Sequence, residues 1–409
     1  MKKLIKDILS QQVINNFYHV PKAILANIIY GFPTRGLIVI GVTGTDGKST
    51  TTNMIYQVLK AAGKKVSMVS TINAVIAGKS YDTGFHVTSP DPFAVQKFAG
   101  QASKEKDEYL VLEVTSHGLD QHRFWGIKFD IGVVTNITHE HLDYHKTFEN
   151  YLFTKLKLLK NVQTAVINQD LKLKVKALGS RVITFGMERG DFNQKELKLK
   201  LKIPGDYNIE NALAALATAF TLGIDKNIAQ RVLENFSGII GRMEEVKNSK
   251  GLKIIIDFAH TPNALEQALK TLRKQTTGRL ISVFGSAGKR DVGKRALMGQ
   301  VAGEFADIVI VTAEDPRGEL DIINHQIVEG AQSKGKTLQR NLFVIEDRKE
   351  AIAFAIQSIA RIGDTVGIFG KGHEASMNLD GKQEIPWSDK EAVLISLVGS
   401  LAHKAPLAQ

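Results

Sequence analysis

The chain has 409 residues, of which 43% are hydrophobic and 23% are charged, and these values are typical of a globular protein with two or three domains. It contains no cysteine, which excludes a disulfide scaffold and thiolate metal sites. The net charge is +11, but the lysines are scattered and do not alternate with aromatic residues, so we do not expect nucleic acid as a partner.

The first 35 residues predict one or two amphipathic helices, and Pro21 breaks their pattern. The apolar positions at helical spacing are Leu4, Ile5, Ile8, Leu9 and Val13. Such a stripe is typical of a helix that packs on the next domain or of one that lies on a membrane surface, and the weakly basic polar face favours packing. No apolar run is long enough to span a bilayer, so we expect a cytoplasmic protein without stable membrane insertion.

Apolar runs that alternate with helical patterns predict two α/β domains. The expected strands of the first are Leu37 to Val42, Val66 to Ser70, Tyr109 to Val114, Ile131 to Thr135 and Ala165 to Asn168. A helix from Asn208 to Leu222 follows them and ends at Gly223. The expected strands of the second are Lys253 to Asp257, Leu280 to Phe284, Ile308 to Thr312, Leu342 to Ile345 and Thr365 to Phe369. Both patterns indicate a mainly parallel, doubly wound sheet.

A glycine-rich segment, Gly41-Val-Thr-Gly-Thr-Asp-Gly-Lys-Ser-Thr-Thr51, connects the first strand to a helix. Backbone N–H groups of such a loop can approach phosphate oxygens at the helix N-terminus. Lys48 is placed to reach the outer phosphates and Ser49 to hold Mg²⁺. Val42 stands where the strict P-loop pattern has glycine, but Gly-Lys-Ser-Thr after a buried strand disfavours an incidental turn.

A second polar cluster combines carboxylates and imidazoles. Glu113 lies at the end of an apolar strand, where side chains of parallel sheets face the ligand crevice, and its oxygen suits Mg²⁺. The run Thr135-Asn-Ile-Thr-His-Glu-His-Leu-Asp-Tyr-His145 follows the next strand. Its spacing is compatible with a zinc site or with a polar loop, and spacing alone does not decide between them.

These segments resemble the Mur ligases, the ATP-dependent amide-bond-forming ligases of bacterial cell-wall precursor synthesis. The loop is similar to their Gly-Thr-Asn-Gly-Lys-Thr-Thr segment, with Asp46 and Ser49 as replacements. Glu113-Val-Thr-Ser-His-Gly-Leu and Asn136-x-Thr-x-x-His-Leu-Asp-Tyr-His145 also resemble family segments. The match extends in order from about residue 37 to residue 395, and it is closest to the branch that adds the third residue of the stem peptide.

The resemblance implies a short helical segment at 1–36, a central P-loop NTPase-like ATP-binding domain at 37–238 and a C-terminal Rossmann-like α/β domain at 239–409. It implies ATP and two Mg²⁺ ions as cofactors. The implied catalytic residues are Lys48, Glu113, His141 and Lys155, and the implied metal ligands are Ser49, Glu113, His141 and Lys155, the last as a carbamate. The implied ATP-binding residues are Gly44, Thr45, Asp46, Gly47, Lys48, Ser49, Thr50, Asn136, Asn211, Arg242 and Asp257.

The resemblance also implies two substrate sites. The residues expected to hold a uridine-linked muramoyl peptide are Thr88, Ser89, Thr115, Gln121 and Arg123. Those expected to hold the incoming amino acid are Arg290, Asp315, Arg317, Gly370 and Glu374. Since a guanidinium suits a distal carboxylate, Arg317 favours meso-diaminopimelate over lysine, whereas Asp315 adds a negative charge where the family usually has Asn.

We therefore expect an ADP-forming ligase that acts through an acyl phosphate, and we expect a monomer. About 38 residues precede the loop strand, fewer than the family's usual N-terminal nucleotide-binding domain, so the sequence leaves the acceptor open. One alternative is a related ligase with another acceptor, such as a folylpolyglutamate synthase-like enzyme, and another is a non-catalytic nucleotide-binding partner subunit.

Overall fold

The computed structural model describes residues 11–81, 83, 91–138, 140–171, 180–289 and 291–398. The chain folds into two compact units, Met1–Ser237 and Gly238–Gln409. Within the described part of the chain, no helix is long and apolar enough to cross a membrane.

The first unit begins with a continuous helical segment. Helix α1 (Gln11–Ile14), a π turn (Asn15–His19) and helix α2 (Val20–Tyr30) follow one another directly, and Gly31 ends α2 in the left-handed region at φ +67°. The expected break at Pro21 is wrong, because the helical segment continues from the π turn through the proline, which lies in the first turn of α2. Of the expected apolar stripe only Val13 lies within the described residues, and it is exposed.

The first unit contains a nine-stranded sheet in its described part. Its strands are β1 (Ile38–Thr43), β2 (Val66–Val69), β3 (Ala74–Ile76), β4 (Lys79–Tyr81), β5 (Tyr109–Glu113), β6 (Ile131–Val134), β7 (Thr164–Asn168), β8 (Arg181–Gly186) and β9 (Phe192–Asn193). They lie in the order β4-β3-β2-β5-β1-β6-β7-β8-β9, and pairing is parallel except along β2-β3-β4. All five predicted strands are present within one residue at each end, whereas the outer strands β3, β4, β8 and β9 were not predicted.

Helices connect these strands and cover the sheet. They are α3 (Lys48–Ala61), α4 (Pro92–Lys104), α5 (Ser116–Asp120), α6 (Leu142–His145), α7 (Phe148–Leu156), α8 (Gln194–Leu197), α9 (Asp206–Thr221) and α10 (Lys226–Glu234). Strand β1 is buried almost throughout, and α9 contributes a run of buried alanines and leucines against the other side of α3.

The register of the central strands positions the predicted site. Strand β1 lies between β5 and β6, with Val42 opposite Glu113 and Thr43 opposite Val134. The carboxyl ends of these parallel strands therefore bring the glycine-rich loop, Glu113 and the segment after β6 to the same edge of the sheet.

The second unit contains a six-stranded sheet within its described residues. Its strands are β10 (Glu244–Glu245), β11 (Lys253–Asp257), β12 (Leu280–Phe284), β13 (Ile308–Val311), β14 (Leu342–Val344) and β15 (Thr365–Phe369), and a separate antiparallel pair is formed by β16 (Ser376–Met377) and β17 (Ile385–Pro386). The sheet order is β10-β11-β15-β12-β13-β14, parallel except at β10. The five predicted strands are present.

The helices of the second unit are α11 (Pro262–Gln275), α12 (Gly293–Phe305), α13 (Leu320–Gln332), α14 (Arg348–Phe354) and α15 (Asp389–Val398). One core cluster packs α14, a following π turn and α15 against the sheet. The buried pair of Arg348 and Asp389 joins α14 to α15 at 2.8 Å, and Arg348 also donates to the carbonyl oxygen of Phe369 at the end of β15.

Candidate active site

The glycine-rich loop spans residues 44–47, between the end of β1 and the first residue of α3. Gly47 has φ +80°, and a Cβ atom at this position would overlap the amide oxygen of Asn211 on α9. Asn211 Oδ1 also accepts a hydrogen bond from Thr51 Oγ1 at 3.2 Å. Glycine is therefore required at position 47 both by the left-handed backbone and by the close approach of α9.

Two lysines converge on one carbonyl oxygen of this loop. Lys48 Nζ donates to Gly44 O at 3.1 Å and to Thr45 O at 2.7 Å, and Lys155 Nζ donates to the same Gly44 O at 2.5 Å. Lys155 is buried. Burial, and after it the charge of Lys48, places the pKa of Lys155 well below its ordinary value, which favours a neutral amine.

Glu113 lies beside the start of α3 and is buried. Its Oε2 accepts from Ser49 Oγ and from the backbone N–H of Thr71, both at 2.9 Å, and its Oε1 accepts from Thr71 Oγ1 at 2.8 Å. Thr71 was not predicted as a site residue, although its position two residues after β2 could have identified it by the same rule that identified Glu113. These contacts bring three groups with oxygen atoms that suit Mg²⁺ side by side, namely the Ser49 hydroxyl, the Glu113 carboxylate and the Thr71 hydroxyl.

The segment after β6 fixes the loop. Asn136 O accepts from the backbone N–H of Thr45 at 2.9 Å, Asn136 Oδ1 accepts from the N–H of Asp46 at 2.9 Å, and Asn136 Nδ2 donates to Asp46 O at 3.2 Å. The hydroxyl of Thr45 lies 3.1 Å from that of Tyr151 on α7 and accepts from the N–H of Thr138 at 2.9 Å. Asn136 thus holds the loop conformation through both ends of its side-chain amide.

An aromatic and imidazole cluster adjoins the loop. The ring of His117 lies 4.8 Å from that of His141, 4.3 Å from that of Tyr144 and 5.6 Å from that of His145, measured between centroids. His145 is buried, and burial lowers its pKa to about 4, so the ring is neutral at pH 7. His141 has φ +56°, and its Nε2 lies 3.6 Å from Glu140 Oε2.

Tyr151 connects this cluster to the lysines. Its ring centroid lies 6.3 Å from that of His141 and 4.7 Å from Lys155 Nζ. Lys48, Glu113 and Glu140 each contribute to the electrostatic potential at Lys155. The structure therefore brings the four residues expected to be catalytic into one connected region. Across the residues that the structure describes, which leave out His139, no three His, Cys, Asp or Glu side chains are grouped so that they could hold a metal ion.

Of the residues expected to hold the acceptor, Thr115, Gln121 and Arg123 follow β5, at the same edge of the sheet. Thr115 caps α5 by accepting from the N–H of Gly118 at 3.1 Å. Gln121 Oε1 accepts from both Nε and Nη2 of Arg123, at 2.9 and 2.7 Å, and burial lowers the pKa of Arg123. Thr88 and Ser89 lie outside the described residues.

In the second unit, Asp257 ends β11. Its carboxylate accepts from the N–H groups of Met243 at 2.7 Å and Ala259 at 2.8 Å. The guanidinium of Arg242 lies 4.4 Å from the ring centroid of Phe258, and among the described residues its buried Nε has no hydrogen-bond partner. The carboxylate of Asp257 thus fixes the loop that carries Arg242.

Three of the residues expected to bind the amino acid, Asp315, Arg317 and Glu374, form a charged network with Lys371. Lys371 Nζ lies 3.0 Å from Asp315 Oδ1 and 2.5 Å from Glu374 Oε2, and Arg317 Nη2 lies 3.5 Å from Asp315 Oδ2. Burial alone would lower the pKa of Lys371, but the carboxylates of Glu374 and Asp315 raise it. Gly370 has φ +108°, and a Cβ atom there would lie 2.7 Å from Glu314 Oε2. Arg290 lies outside the described residues.

Known proteins share this architecture. The Mur ligase middle domain matches residues 42–219, and the Mur ligase glutamate ligase domain matches residues 241–372. The UDP-N-acetylmuramoyl-L-alanyl-D-glutamate–2,6-diaminopimelate ligase of Clostridium botulinum is 39% identical over 91% of this chain and 80% of its own length. This chain belongs to the Mur ligase family.

Solved structures agree with this assignment. A solved structure of a UDP-N-acetylmuramoyl-L-alanyl-D-glutamate–2,6-diaminopimelate ligase aligns with 89% of this Mur ligase, and the aligned region is 78% of the solved chain. The TM-score is 0.57 and the sequence identity is 29%. The folylpolyglutamate synthase of Mycobacterium tuberculosis covers 86% of this chain and 91% of its own, with a TM-score of 0.69 but 17% identity, and this similarity concerns the fold alone.

The acidic replacement at position 315 of this Mur ligase is electrostatically balanced. Asp315 Oδ1 accepts from Lys371 Nζ and from the backbone N–H of Asn378, both at 3.0 Å, and its Oδ2 faces Arg317. The negative charge that Asp315 introduces is therefore offset by two cations within this pocket.

Proposed function

We propose that this Mur ligase couples ATP hydrolysis to ADP and phosphate with the addition of meso-diaminopimelate to UDP-N-acetylmuramoyl-L-Ala-D-Glu. The observation that carries the proposal is the convergence of Lys48 and Lys155 on Gly44 O, beside the oxygen donors Ser49 and Glu113. The reaction named for the relative from Clostridium botulinum supports the choice of substrates. We assign ATP binding chiefly to residues 37–238 and amino-acid binding to residues 239–409.

The loop would hold the triphosphate. The loop leads directly into the N-terminus of α3, and the free backbone N–H groups of a helix N-terminus favour anions. In this state Lys48 Nζ donates to loop carbonyl oxygens, and phosphate oxygens are stronger acceptors for a cation. Lys48 therefore turns from the carbonyls to the outer phosphates when ATP binds. We also assign ATP binding to Gly44, Thr45, Asp46, Thr50, Asn136, Asn211, Arg242 and Asp257.

The donor set fits two Mg²⁺ ions if the phosphates complete their shells. Ser49 Oγ and the Glu113 carboxylate offer oxygens at one position, and His141 offers a ring nitrogen at the other. Mg²⁺, when bound, neutralises charge on the phosphoryl group during transfer. The neutral amine favoured at Lys155 is the form that reacts with CO₂, and its carbamate would supply anionic oxygens in place of a cation.

The acceptor carboxylate would bind between the loop and the segment that carries Arg123. Gln121 orients the guanidinium of Arg123 through two hydrogen bonds, which suits bidentate recognition of a phosphate or carboxylate. We place Thr88, Ser89 and Thr115 at the same substrate as hydroxyl donors.

The amino acid pocket supports diaminopimelate because the distal end of this substrate carries both an ammonium and a carboxylate. Arg317 and Arg290 would bind the carboxylate, while Glu374 and Asp315 would bind the ammonium. In the structure Lys371 occupies both carboxylates, and a substrate ammonium would share Glu374 with it. Gly370 permits the close approach of Glu314, because a Cβ atom at position 370 would lie 2.7 Å from Glu314 Oε2.

The chemistry follows from these positions. The acceptor carboxylate oxygen attacks the γ-phosphorus of ATP, the bond to the β-phosphate oxygen breaks, and an acyl phosphate and ADP form. The amine of diaminopimelate then attacks the acyl carbon, a tetrahedral intermediate collapses, phosphate leaves, and the amine loses a proton. Catalysis depends on positioning and on fixed charges.

The test is phosphate release in the presence of ATP, Mg²⁺, UDP-N-acetylmuramoyl-L-Ala-D-Glu and diaminopimelate. Release should require both co-substrates, and Lys48→Ala should reduce it at least about a hundredfold because a charge on the transferring group is lost. Lys60→Ala, at the exposed end of the same helix, is the matched control. Release that needs no amino acid, turnover by Lys48→Ala equal to that of the control, or activity with a folate and glutamate instead would refute the proposal.

A further inference from the structure

Helix α2 exposes its large apolar side chains to solvent and buries its small ones. Ala23, Ala26 and Asn27 form its buried face. Leu25 is 50% exposed, and Ile28 and Ile29 are each 60% exposed. A helix at the surface of a globular protein normally buries such residues, and an exposed apolar patch of this kind marks a binding surface.

The patch continues along the preceding π turn. Phe17 is 81% exposed and Tyr18 is 58% exposed. We call Phe17, Tyr18, Leu25, Ile28 and Ile29 the α2 face. These residues lie along one continuous helical segment, so their side chains can contact a single extended surface.

Partly exposed aromatic rings lie at the C-terminal end of the α2 face. Tyr30 is 36% exposed and Trp125 is 38% exposed. Asn27 Nδ2 donates to Trp125 O at 2.6 Å, and the ring of Trp125 lies 6.5 Å from that of Phe32, so this loop is next to the helix. Tyrosine and tryptophan are enriched where protein meets the headgroup level of a membrane.

Exposed basic side chains occur on the segments that adjoin α2. Arg35 is exposed and lies 4.3 Å from the ring centroid of Phe32, and Lys128 is exposed three residues after Trp125. Lys97 is exposed on α4, the helix that packs against α2. The acidic residue at the start of α4, Asp91, pairs with Lys22 at 3.5 Å. Together with the net charge of +11, this arrangement complements an anionic surface.

We propose that the α2 face docks on the surface of an anionic lipid bilayer, with α2 in the plane of the interface. Its aliphatic side chains enter the boundary between headgroups and acyl chains, while Arg35, Lys97 and Lys128 face the phosphates. With 11 residues, α2 is too short to span the bilayer, so the association is peripheral. The combination of aliphatic residues, amphipathic rings and cations favours lipid over a protein partner.

The experiment uses the full chain with Trp387→Phe, which leaves Trp125 as its tryptophan reporter. Vesicles of phosphatidylcholine alone are compared with vesicles that contain about 30% phosphatidylglycerol. We expect co-sedimentation and a blue shift of Trp125 emission with the anionic vesicles, and weakening of both by about 0.5 M NaCl.

The decisive variant is Leu25→Ser/Ile28→Ser/Ile29→Ser. All three side chains are exposed, so the fold should be retained, and the vesicle partition coefficient should fall at least about tenfold because buried apolar area is lost. Ile228→Ser/Ile322→Ser/Ile362→Ser removes three exposed isoleucines elsewhere, which are 41%, 59% and 86% exposed, and this variant should bind like the parent.

Three results would overturn the proposal. The first is equal vesicle binding by the two triple variants at equal circular dichroism, and the second is no binding of the parent to anionic vesicles. The third is concentration-dependent self-association, measured by sedimentation velocity without lipid, that the α2-face variant abolishes. That result would make the α2 face a contact between copies of this chain.

Discussion

Replacement of Gly47 by alanine tests whether the approach of α9 shapes the phosphate loop. Gly47 and Gly63 lie at the two ends of α3 with similar angles, φ +80° and φ +75°, but a Cβ atom at Gly63 would have nothing within 4 Å, whereas one at Gly47 would overlap Asn211 Oδ1. The left-handed backbone costs an alanine about 1 kcal/mol at either site. Gly47→Ala must also displace Asn211 and lose its bond from Thr51, which adds about 1 kcal/mol.

We therefore expect a loss of about 1 kcal/mol in the free energy of unfolding for Gly63→Ala and about 2 kcal/mol for Gly47→Ala. Urea unfolding followed by Trp125 emission in the Trp387→Phe background reports on the first unit. Gly47→Ala should raise the KM for ATP about tenfold, since the loop amides move, whereas Gly63→Ala should leave it unchanged. Adding Asn211→Ala to Gly47→Ala should recover part of the stability. Equal stability and equal KM values for the two glycine variants would refute the reasoning.

Three further predictions concern the catalytic, specificity and titrating groups. Lys155→Ala should reduce phosphate release about a hundredfold or more, and millimolar acetate should restore part of this activity by replacing the carbamate oxygens. Lys160→Ala is the control. Absence of rescue by acetate, together with a protein mass that shows unmodified Lys155, would contradict carbamylation. Arg317→Ala should raise the KM for diaminopimelate by about tenfold to a hundredfold but not the KM for ATP, because a charge-assisted hydrogen bond to the amino acid is lost. Arg340→Ala, at an exposed arginine, should change neither KM. A parallel rise in both KM values for Arg317→Ala would argue against a specificity role. His145 has a pKa of about 4 in the folded protein, against an ordinary value of 6.5. The unfolded chain therefore binds more protons than the folded protein between these two pH values. The free energy of unfolding should fall by an amount on the order of 2 kcal/mol as the pH is lowered from about 6.5 to about 4. Urea unfolding across this range should show that His145→Gln flattens the slope, and an unchanged slope would show that another group is responsible.

Local sequence predicted most of the regular structure. The apolar runs that became β1, β5 and β11 are buried on both faces, and such strands read as continuous hydrophobic segments. The hairpin of β3 and β4 was missed because its strands have three residues each, and β4 is fully exposed, so neither length nor alternation distinguishes it from a loop. The exposure of the larger side chains of α2 was not predicted, because the apolar stripe identified in the sequence ends at Val13, before this helix begins.

The candidate site likewise combines features that the local sequence encodes with contacts that only the tertiary structure makes. The segment from Gly44 to Ser49 carries its own conformational signals, because its glycines and the following helix N-terminus are encoded within a few residues. By contrast, the partners of Glu113 and Lys155 come from distant positions: Thr71 from the segment after β2, and Gly44 from the phosphate loop. The position of Thr71 after β2 makes it a candidate, but only the fold shows that its hydroxyl reaches Glu113.

The sequence by itself determined the order of strands and helices and the phosphate loop, because backbone angles and hydrophobic periodicity depend on neighbours in the chain. The tertiary structure decided which charges meet. Lys155 and Lys48 share one carbonyl oxygen, and Lys371 balances Asp315 and Glu374, because parallel pairing brings the ends of separate strands together. The depressed pKa of Lys155 arises from burial and from the charge of Lys48, and both depend on where the folded chain places the amine.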